Sequence, residues 1–354
     1  MNNIDRIRQK LPEYGLKAIM ITSPVNRLFA TGFLSSDGAL VITDSDAWFY
    51  TDFRYIEAAQ NTISGANINS VTKDATYAVQ IESILNNAGV ASVGFEDGSL
   101  TYAEHVEWTK KLTASLSPAQ KLLDELRAIK TESELGMLKK AQSIAEKTFL
   151  EILPLISTDM TEKELAAEIT YRAIRNGADD KSFDPIVVSG TKSSMPHGVP
   201  GDIKISKGFL TIDFGVRCDG WCSDTTRTLC IGQPDDEMVK IYDTVLEAQE
   251  AGIAAAKAGV RGCDIDGAAR TVIENAGYGD RFGHGFGHGL GLEVHEKPTA
   301  SQIYIDPIPA GAVISAEPGI YIPDRFGVRI EDVIYIKDNG CENITNLPKN
   351  LIIL

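Results

Sequence analysis

Residues 208–231, GFLTIDFGVRCDGWCSDTTRTLCI, decide the reading of the fold. Leu210, Ile212 and Phe214 alternate along one face of a strand, which leaves Asp213 on the other. The run Thr225 to Ile231 follows a polar turn, so the segment reads as a β-hairpin. Two registers are open. A turn at Cys218-Asp219 sets Asp224 opposite Asp213. A turn at Asp219-Gly220, the stronger type I′ signal, sets it opposite Gly215 and diagonal to Asp213. Either register brings the two carboxylates onto one face, within roughly 5–8 Å. Carboxylates that close repel unless they share a proton or a cation; a solvated polar face is the plain alternative.

Further along, residues 282–296, FGHGFGHGLGLEVHE, place His284, His288 and His295 among five glycines. His284 and His288 have the i, i+4 spacing of a zinc-binding helix, but no glutamate follows His284. Each glycine would also cost a helix about 1 kcal/mol. No G-x-G-x-x-G register fits, so a phosphate loop fails too. His288 and His295 have opposite strand parity, and the glycines are expected to supply the bend that brings them together. Residues 312–336, AVISAEPGIYIPDRFGVRIEDVIYI, form a second hairpin-like pattern with Pro323-Asp324 at the turn. Glu317 and Glu331 interrupt its apolar runs, and Arg329 shares a face with Glu331. Charges in such runs are rarely buried unless paired or metal-bound, so an Arg329 ion pair with Glu331 or Glu317 is the simple alternative. Asp213, Asp224, His288, Glu317 and Glu331 make an oxygen-rich set with one imidazole, suited to a pair of divalent cations such as Mn²⁺, Co²⁺ or Zn²⁺.

The rest of the chain frames this set. At 354 residues two domains are expected. With 43% hydrophobic and 23% charged residues the composition is that of an ordinary globular protein. A net charge of -15 argues against nucleic acid as partner. The polar start MNNIDRIRQKLPEY is unlike a secretory signal, and no apolar run approaches the roughly 20 residues of a membrane span. Cys218, Cys222, Cys230, Cys263 and Cys341 lack a framework spacing, so reduced thiols and a cytoplasmic location are expected. Residues 1–121 read as a smaller α/β domain. It holds a helix over 4–14, a strand over 18–22, a hairpin of 39–43 with 47–51, a helix over 77–87, and a capping box at Thr101 and Glu104 that opens a helix carrying a lone His105. Residues 122–132 read as a charged helical connector, and 133–354 as a larger domain. A long helix to Leu155 opens the larger domain. A second capping box follows at Thr161 and Glu164, and two more helices lie near 237–258 and 265–276.

Asp213, Asp224, His288, Glu317 and Glu331, in this order and these contexts, resemble the five metal ligands of the pita-bread metallopeptidases. FDPIVVSG (183–190), MPHG (195–198), CSDTTRT, GHGLGLEVHE and AEPGIYIPDRFGVRIED are similar to the proline-peptidase branch, aminopeptidase P and prolidase. AIKTESEL and what precedes it are similar to a creatinase-type N-terminal domain. The resemblance implies an α+β fold, with a C-terminal pita-bread (creatinase/methionine aminopeptidase-like) catalytic domain after a smaller α/β creatinase-type domain. It implies two divalent metal ions, Mn²⁺ foremost, with Co²⁺, Zn²⁺ or Fe²⁺ as alternatives. Asp213 would hold one metal, Asp224 and Glu331 would bridge both, and His288 and Glu317 would hold the second. His197, His284 and His295 would serve the substrate, and Arg329 would hold the bridging carboxylates. A metal-bridging hydroxide would attack the scissile carbonyl with Glu317 as proton shuttle. The implied partners are short proline-containing peptides and a second copy of the chain as homodimer, with no nucleic acid and no membrane. The reading leans to cleavage of Xaa-Pro bonds at peptide N-termini, as in aminopeptidase P, with an Xaa-Pro dipeptidase as the alternative. A metal-free creatinase-like hydrolase and a non-catalytic binding module share the fold, but neither needs all five ligands, and all five are present here.

Overall fold

The structure, a computed structural model, describes residues 2–354. The chain divides into two compact units, one ending at Arg127 and the other running Ala128–Leu354. The division falls inside the stretch read as a connector. The helix Gln120–Ala128 has Leu122 and Leu123 fully buried, and after a short break Thr131 caps a new helix, Glu132–Ile152.

The first unit is a six-stranded sheet in the order Asn67–Ser70, Ala47–Thr51, Ala39–Thr43, Ala18–Ile21, Ser92–Phe95, Ser115–Pro118. The hairpin, the helix Tyr77–Asn87 and the capping box at Thr101 and Glu104 stand where the sequence puts them. Ile81 and Leu85 of that helix cover Met20, Val41 and Val93, with one apolar stripe meeting one sheet face. His105 packs against the Phe95 ring at 5.1 Å, and no shared chemistry accompanies it.

The second unit has two halves, each a sheet backed by a pair of helices. In one, Glu132–Ile152 and Glu162–Arg175 bury Ala145, Phe149, Leu165 and Ile169 against Val187, Leu210, Ile212 and Leu229. The strands there are Ile186–Ser189, Gly208–Phe214 and Thr225–Ile231. In the other, Asp236–Ala255 and Gly262–Asn275 bury Val245, Ile265 and Ala269 against Phe286, Ile314, Ile334 and Ile336. Its five-stranded sheet runs Glu296–Ala300, Gly287–Gly289, Val313–Ala316, Asp332–Lys337, Gly340–Asn343. Chain segments leave this sheet to form the separate hairpin Gly319–Ile322 with Phe326–Arg329. Residues read as ordinary amphipathic helices thus supply scaffolding, and the chemistry-bearing residues sit on strand ends and corners.

One close approach is decisive for that sheet. A Cβ at Gly287 would lie 1.9 Å from the Ser315 carbonyl oxygen, so only glycine allows these segments to pass. Gly287→Ala is expected to destabilise by about 1–3 kcal/mol, seen as a lower denaturation midpoint. Gly267→Ala, on an open helix face with nothing within 4 Å, should not lower it.

Candidate active site

The first hairpin takes the type I′ register. Cys218 pairs with Trp221 across Asp219-Gly220, both at positive φ (51° and 83°), and the ladder continues to Phe214–Thr225 and Asp213–Thr226. Asp224 therefore falls opposite Gly215 and diagonal to Asp213, and both aspartates are buried. Glu317 lies between Val313–Ala316 and Gly319–Ile322, and Glu331 between Phe326–Arg329 and Asp332–Lys337. Each carboxylate stands at a corner where the chain changes sheet, not within a continuous strand as its apolar flanks suggested. His288 lies on the strand Gly287–Gly289, whose pairing with Glu296–Ala300 shifts register between His288 and Gly289. This irregularity accompanies the expected convergence, with the His288 and His295 rings 4.3 Å apart between centroids and nearly perpendicular.

The Nδ1–H of His288 donates to its neighbour's carbonyl, Gly289 O, at 3.1 Å. Its Nε2 is thereby turned to Glu317 Oε1 at 3.1 Å and Asp224 Oδ2 at 3.6 Å. One donor atom from each of Asp224, His288 and Glu331 falls within a 4.8 Å cluster. Ser315 Oγ donates to Glu317 at 3.0 Å, and Thr226 Oγ1 donates to Glu331 at 2.8 Å. Asp213 Oδ1 and Glu331 Oε1 are buried and accept no hydrogen bond from the described residues. Orphaned anionic oxygens facing a shared space are costly unless something positive meets them, and hard oxygen donors with one imidazole suit divalent cations. The donor set fits metal ions.

The protonation pattern supports this fit. Burial raises Asp224 and Glu331 well above the usual carboxylate range, with Glu331 then Asp213 adding repulsion on Asp224, and Glu317 then Asp213 on Glu331. Burial raises Asp213 too, against the pull of Arg329. Burial also works against charge on Glu317, but the hydrogen bond and charge of His288, with help from His284 and Arg329, outweigh it and hold Glu317 down to about 2. His288 is opposed by burial yet raised on balance by Glu317. Without cations, protons do part of the cations' work.

Arg329 departs from expectation. Its guanidinium pairs directly with neither Glu331 nor Glu317; Nη2 donates to Asp213 at 2.5 Å, and it reaches Glu331 only through the Thr226 hydroxyl. Sequence proximity favoured the nearer glutamates, but the cross-sheet pairing turns the side chain toward the neighbouring half. Its Nε donates to Thr226 Oγ1 at 3.1 Å, and its Nη1 to Tyr321 Oη at 2.8 Å. Tyr321 Oη lies 3.0 Å from His284 Nε2, and His284 Nδ1 lies 2.9 Å from Gly285 O. A carbonyl can only accept, so Nδ1 carries the proton and Tyr321 donates to Nε2. The result is a directed chain, Arg329 to Tyr321 to His284, that keeps His284 neutral. Burial lowers His284 below its ordinary value, against the upward pull of Glu317 and of the bond to Gly285. Tyr321, buried in the run GIYIP, reads as core in the sequence; only its hydroxyl's distant partners reveal its place.

A cleft of about 740 Å³ gathers these groups. His197, His284, His288 and His295 line it together with Asp213, Asp224, Glu317, Arg329 and Glu331, so every singled-out residue reaches one cavity. Phe183, Pro185, Ile186, Val199 and Ile303 add apolar walls. His197 and His295 are exposed on its rim. Burial, then the neighbouring His288, lowers His295, leaving a neutral imidazole at neutral pH. Cys218, Cys222, Cys230, Cys263 and Cys341 are free thiols outside the cleft. Among the described residues no helix is long and apolar enough to cross a membrane.

Comparison with known proteins agrees with this layout. The profile of Metallopeptidase family M24 matches residues 136–338, and that of the Creatinase/Prolidase N-terminal domain matches residues 3–129. The Xaa-Pro dipeptidase of Pyrococcus furiosus is 34% identical over 352 residues, 99% of each chain. The solved Xaa-Pro dipeptidase from Bacillus anthracis superposes with a TM-score of 0.96 at 39% identity, covering 99% of each chain. The solved X-Pro aminopeptidase from Thermotoga maritima superposes with a TM-score of 0.93 at 33% identity, covering 99% of this chain and 100% of that one.

Proposed function

This chain belongs to metallopeptidase family M24, with a creatinase-type N-terminal domain and a pita-bread catalytic domain, and from that membership we propose that it hydrolyses the peptide bond preceding proline in short peptides, Xaa-Pro dipeptides foremost. That it is a peptidase using divalent metal ions follows from the family. The observation that carries the finer reading is the single cleft in which buried carboxylates with unsatisfied oxygens face three rim and wall histidines. Full-length similarity to Xaa-Pro dipeptidases supports the dipeptide preference, and similarity to an X-Pro aminopeptidase keeps longer peptides as the second reading.

Asp213, Asp224, His288, Glu317 and Glu331 would hold two divalent ions, Mn²⁺ before Co²⁺, Zn²⁺ or Fe²⁺. When bound, such ions supply Lewis acidity, polarising the scissile carbonyl and making water acidic near neutral pH. The chain's own groups do the rest. Glu317, ionised at neutral pH, accepts the proton of the attacking water and delivers it to the leaving nitrogen. His295, neutral on the rim, donates N–H to the carbonyl oxygen as negative charge develops there. His197 meets the substrate from the opposite loop. His284, with both ring nitrogens engaged, acts as a fixed neutral wall of the site. Arg329 fixes Asp213 in orientation while serving Tyr321. The bond to proline has a ring nitrogen without N–H, so recognition here rests on shape, for which the apolar walls are suited. We extend the reading to a cytoplasmic homodimer, supported by family resemblance and reduced thiols.

The test is an assay of metal-stripped enzyme on Xaa-Pro and Xaa-Pro-Xaa peptides, with Mn²⁺, Co²⁺ or Zn²⁺ restored. Turnover of the dipeptides, highest with Mn²⁺, is expected. Tripeptides cleaved faster than dipeptides would move the assignment to the aminopeptidase, and no turnover of either would refute the proline reading.

A further inference from the structure

One buried carboxylate serves neither the metal set nor the helix end it occupies. Glu162 is the first residue of the helix Glu162–Arg175, whose terminus is already capped by the reciprocal bonds of Thr161 and Glu164. It is nonetheless fully buried. Its Oε1 accepts from Ser189 N at 2.8 Å and Ser189 Oγ at 3.2 Å. Its Oε2 accepts from Lys192 Nζ at 2.6 Å and Gly201 N at 3.1 Å. Ser189 closes the strand Ile186–Ser189, and Gly201 follows Pro200, so one carboxylate grips both ends of the loop 190–200.

That loop forms part of the cleft's lining. Pro196, His197, Gly198, Val199 and Pro200 all line the cavity. Its middle is held at two further points: Gly327 N donates to Ser193 Oγ at 3.0 Å, and Arg329 Nη1 donates to Pro196 O at 3.3 Å. A Cβ at Gly198 would fall 2.6 Å from Val188 Cγ1, so the loop lies flat on the preceding strand. No hydrogen bond from the described residues holds the His197 ring, and its place depends on the backbone that carries it. Hydrogen bonds to a charged acceptor contribute about 1.5–3 kcal/mol each, more than neutral ones, which makes this carboxylate the strongest tie on the loop.

We propose that Glu162, with Lys192, is a positioning residue for the substrate-side loop: by fixing both ends of residues 190–200 it sets where His197 stands in the cleft. The inference rests on the proposed peptidase reading for His197. Glu162→Gln keeps the size and one acceptor oxygen but turns an amide donor toward Lys192 and Gly201. In the metal-loaded full chain, kcat on Xaa-Pro dipeptides should fall about 10–100-fold with KM and bound metal nearly unchanged, the range seen when an outer partner of a site is removed. In a His197→Ala background the same change should cost less than about twofold, because two residues acting as one unit are not additive. Lys192→Met should give a milder loss and leave the backbone donors Ser189 N and Gly201 N in place, and Lys192→Arg should restore most of it. Hydrogen exchange of the amides in 190–201 should speed up in Glu162→Gln while the rest of the unit is unaffected. Full additivity with His197→Ala, lost metal, or unchanged exchange in the loop would each overturn the proposal. The exchange readout needs no substrate, so failure of the wild type to cleave proline peptides would strike the functional reading, while exchange would still judge the clamp.

Discussion

Asp224→Ala or Glu331→Ala is expected to abolish activity and metal binding together. Each is buried, and the two share one donor cluster with His288. Burial and the neighbouring carboxylates raise both well above the usual carboxylate range, so a bound cation is what would keep either charged at neutral pH. Removing either takes away a donor that both cations would use, so kcat/KM should fall more than about 10³-fold, at least about 4 kcal/mol of transition-state stabilisation. The fold should survive, because neither side chain belongs to the apolar clusters that carry the two halves. Under metal-replete conditions both variants should melt below the wild type, which alone gains stability from bound ions. Mass spectrometry of the purified variants reads the metal directly. Retention of the wild-type metal content in either variant would rule out shared coordination by that residue.

The second large effect is on the pH dependence of the metal-free protein. Asp213, Asp224 and Glu331 have folded-state pKa values above their unfolded ones, as does His288. The stability they contribute is full below the unfolded values, near 4 for the carboxyls, and is lost as pH rises through the raised ones. Glu317 runs the other way, but its contribution is complete above its unfolded value and lost only as pH falls toward about 2. His284 and His295, lowered, gain with rising pH and oppose the trend in the same window. Two groups shifted well upward, with Asp213 and His288 alongside, outweigh these two. Metal-stripped protein should therefore melt higher near pH 5 than near pH 7.5, by on the order of 5 °C. Mn²⁺ should restore the neutral-pH midpoint and release protons as it binds, read by titration calorimetry in buffers of different ionisation enthalpy. Asp224→Asn and Glu331→Gln should flatten the slope. A metal-free midpoint that rises from pH 5 to 7.5 would contradict the assignment of shared buried protons.

How much of this was legible beforehand depended on how local the signal was. The capping boxes at Thr101 and Thr161 and the hairpin of Ala39–Thr43 with Ala47–Thr51 are decided by residues a few positions apart, and they stand as read; of the two registers left open at the first hairpin, the structure takes the turn at Asp219-Gly220. The short strands Ser92–Phe95 and Ser115–Pro118 pair in parallel across distant segments, and periodicity could not find them. The five candidate ligands were visible because a carboxylate in an apolar run is chemically out of place. Arg329 was visible for the same reason, but its partner was not. Glu317 and Glu331 are its neighbours in sequence, whereas Asp213, over a hundred positions away, is its neighbour in space. Tyr321 and Glu162 were hidden by ordinariness. A tyrosine in a strand and an acid in a first helical turn have bland explanations, and only tertiary hydrogen bonds reveal otherwise.

The five candidate donors come from three distant segments of chain, 213–224, 288 and 317–331, drawn from both halves of the second unit. In a zinc finger the ligands lie close enough in sequence that the ion gathers them and so starts the fold. Here an unfolded chain offers no chelate, because Asp213 and Glu331 meet only after both sheets have formed and the hairpin register is set. An ion arriving early would find nothing to hold it, and one arriving late would meet the candidate donors already assembled. The metal can lock this protein but cannot template it, so the polypeptide alone must complete its architecture before the enzyme acquires its cofactor.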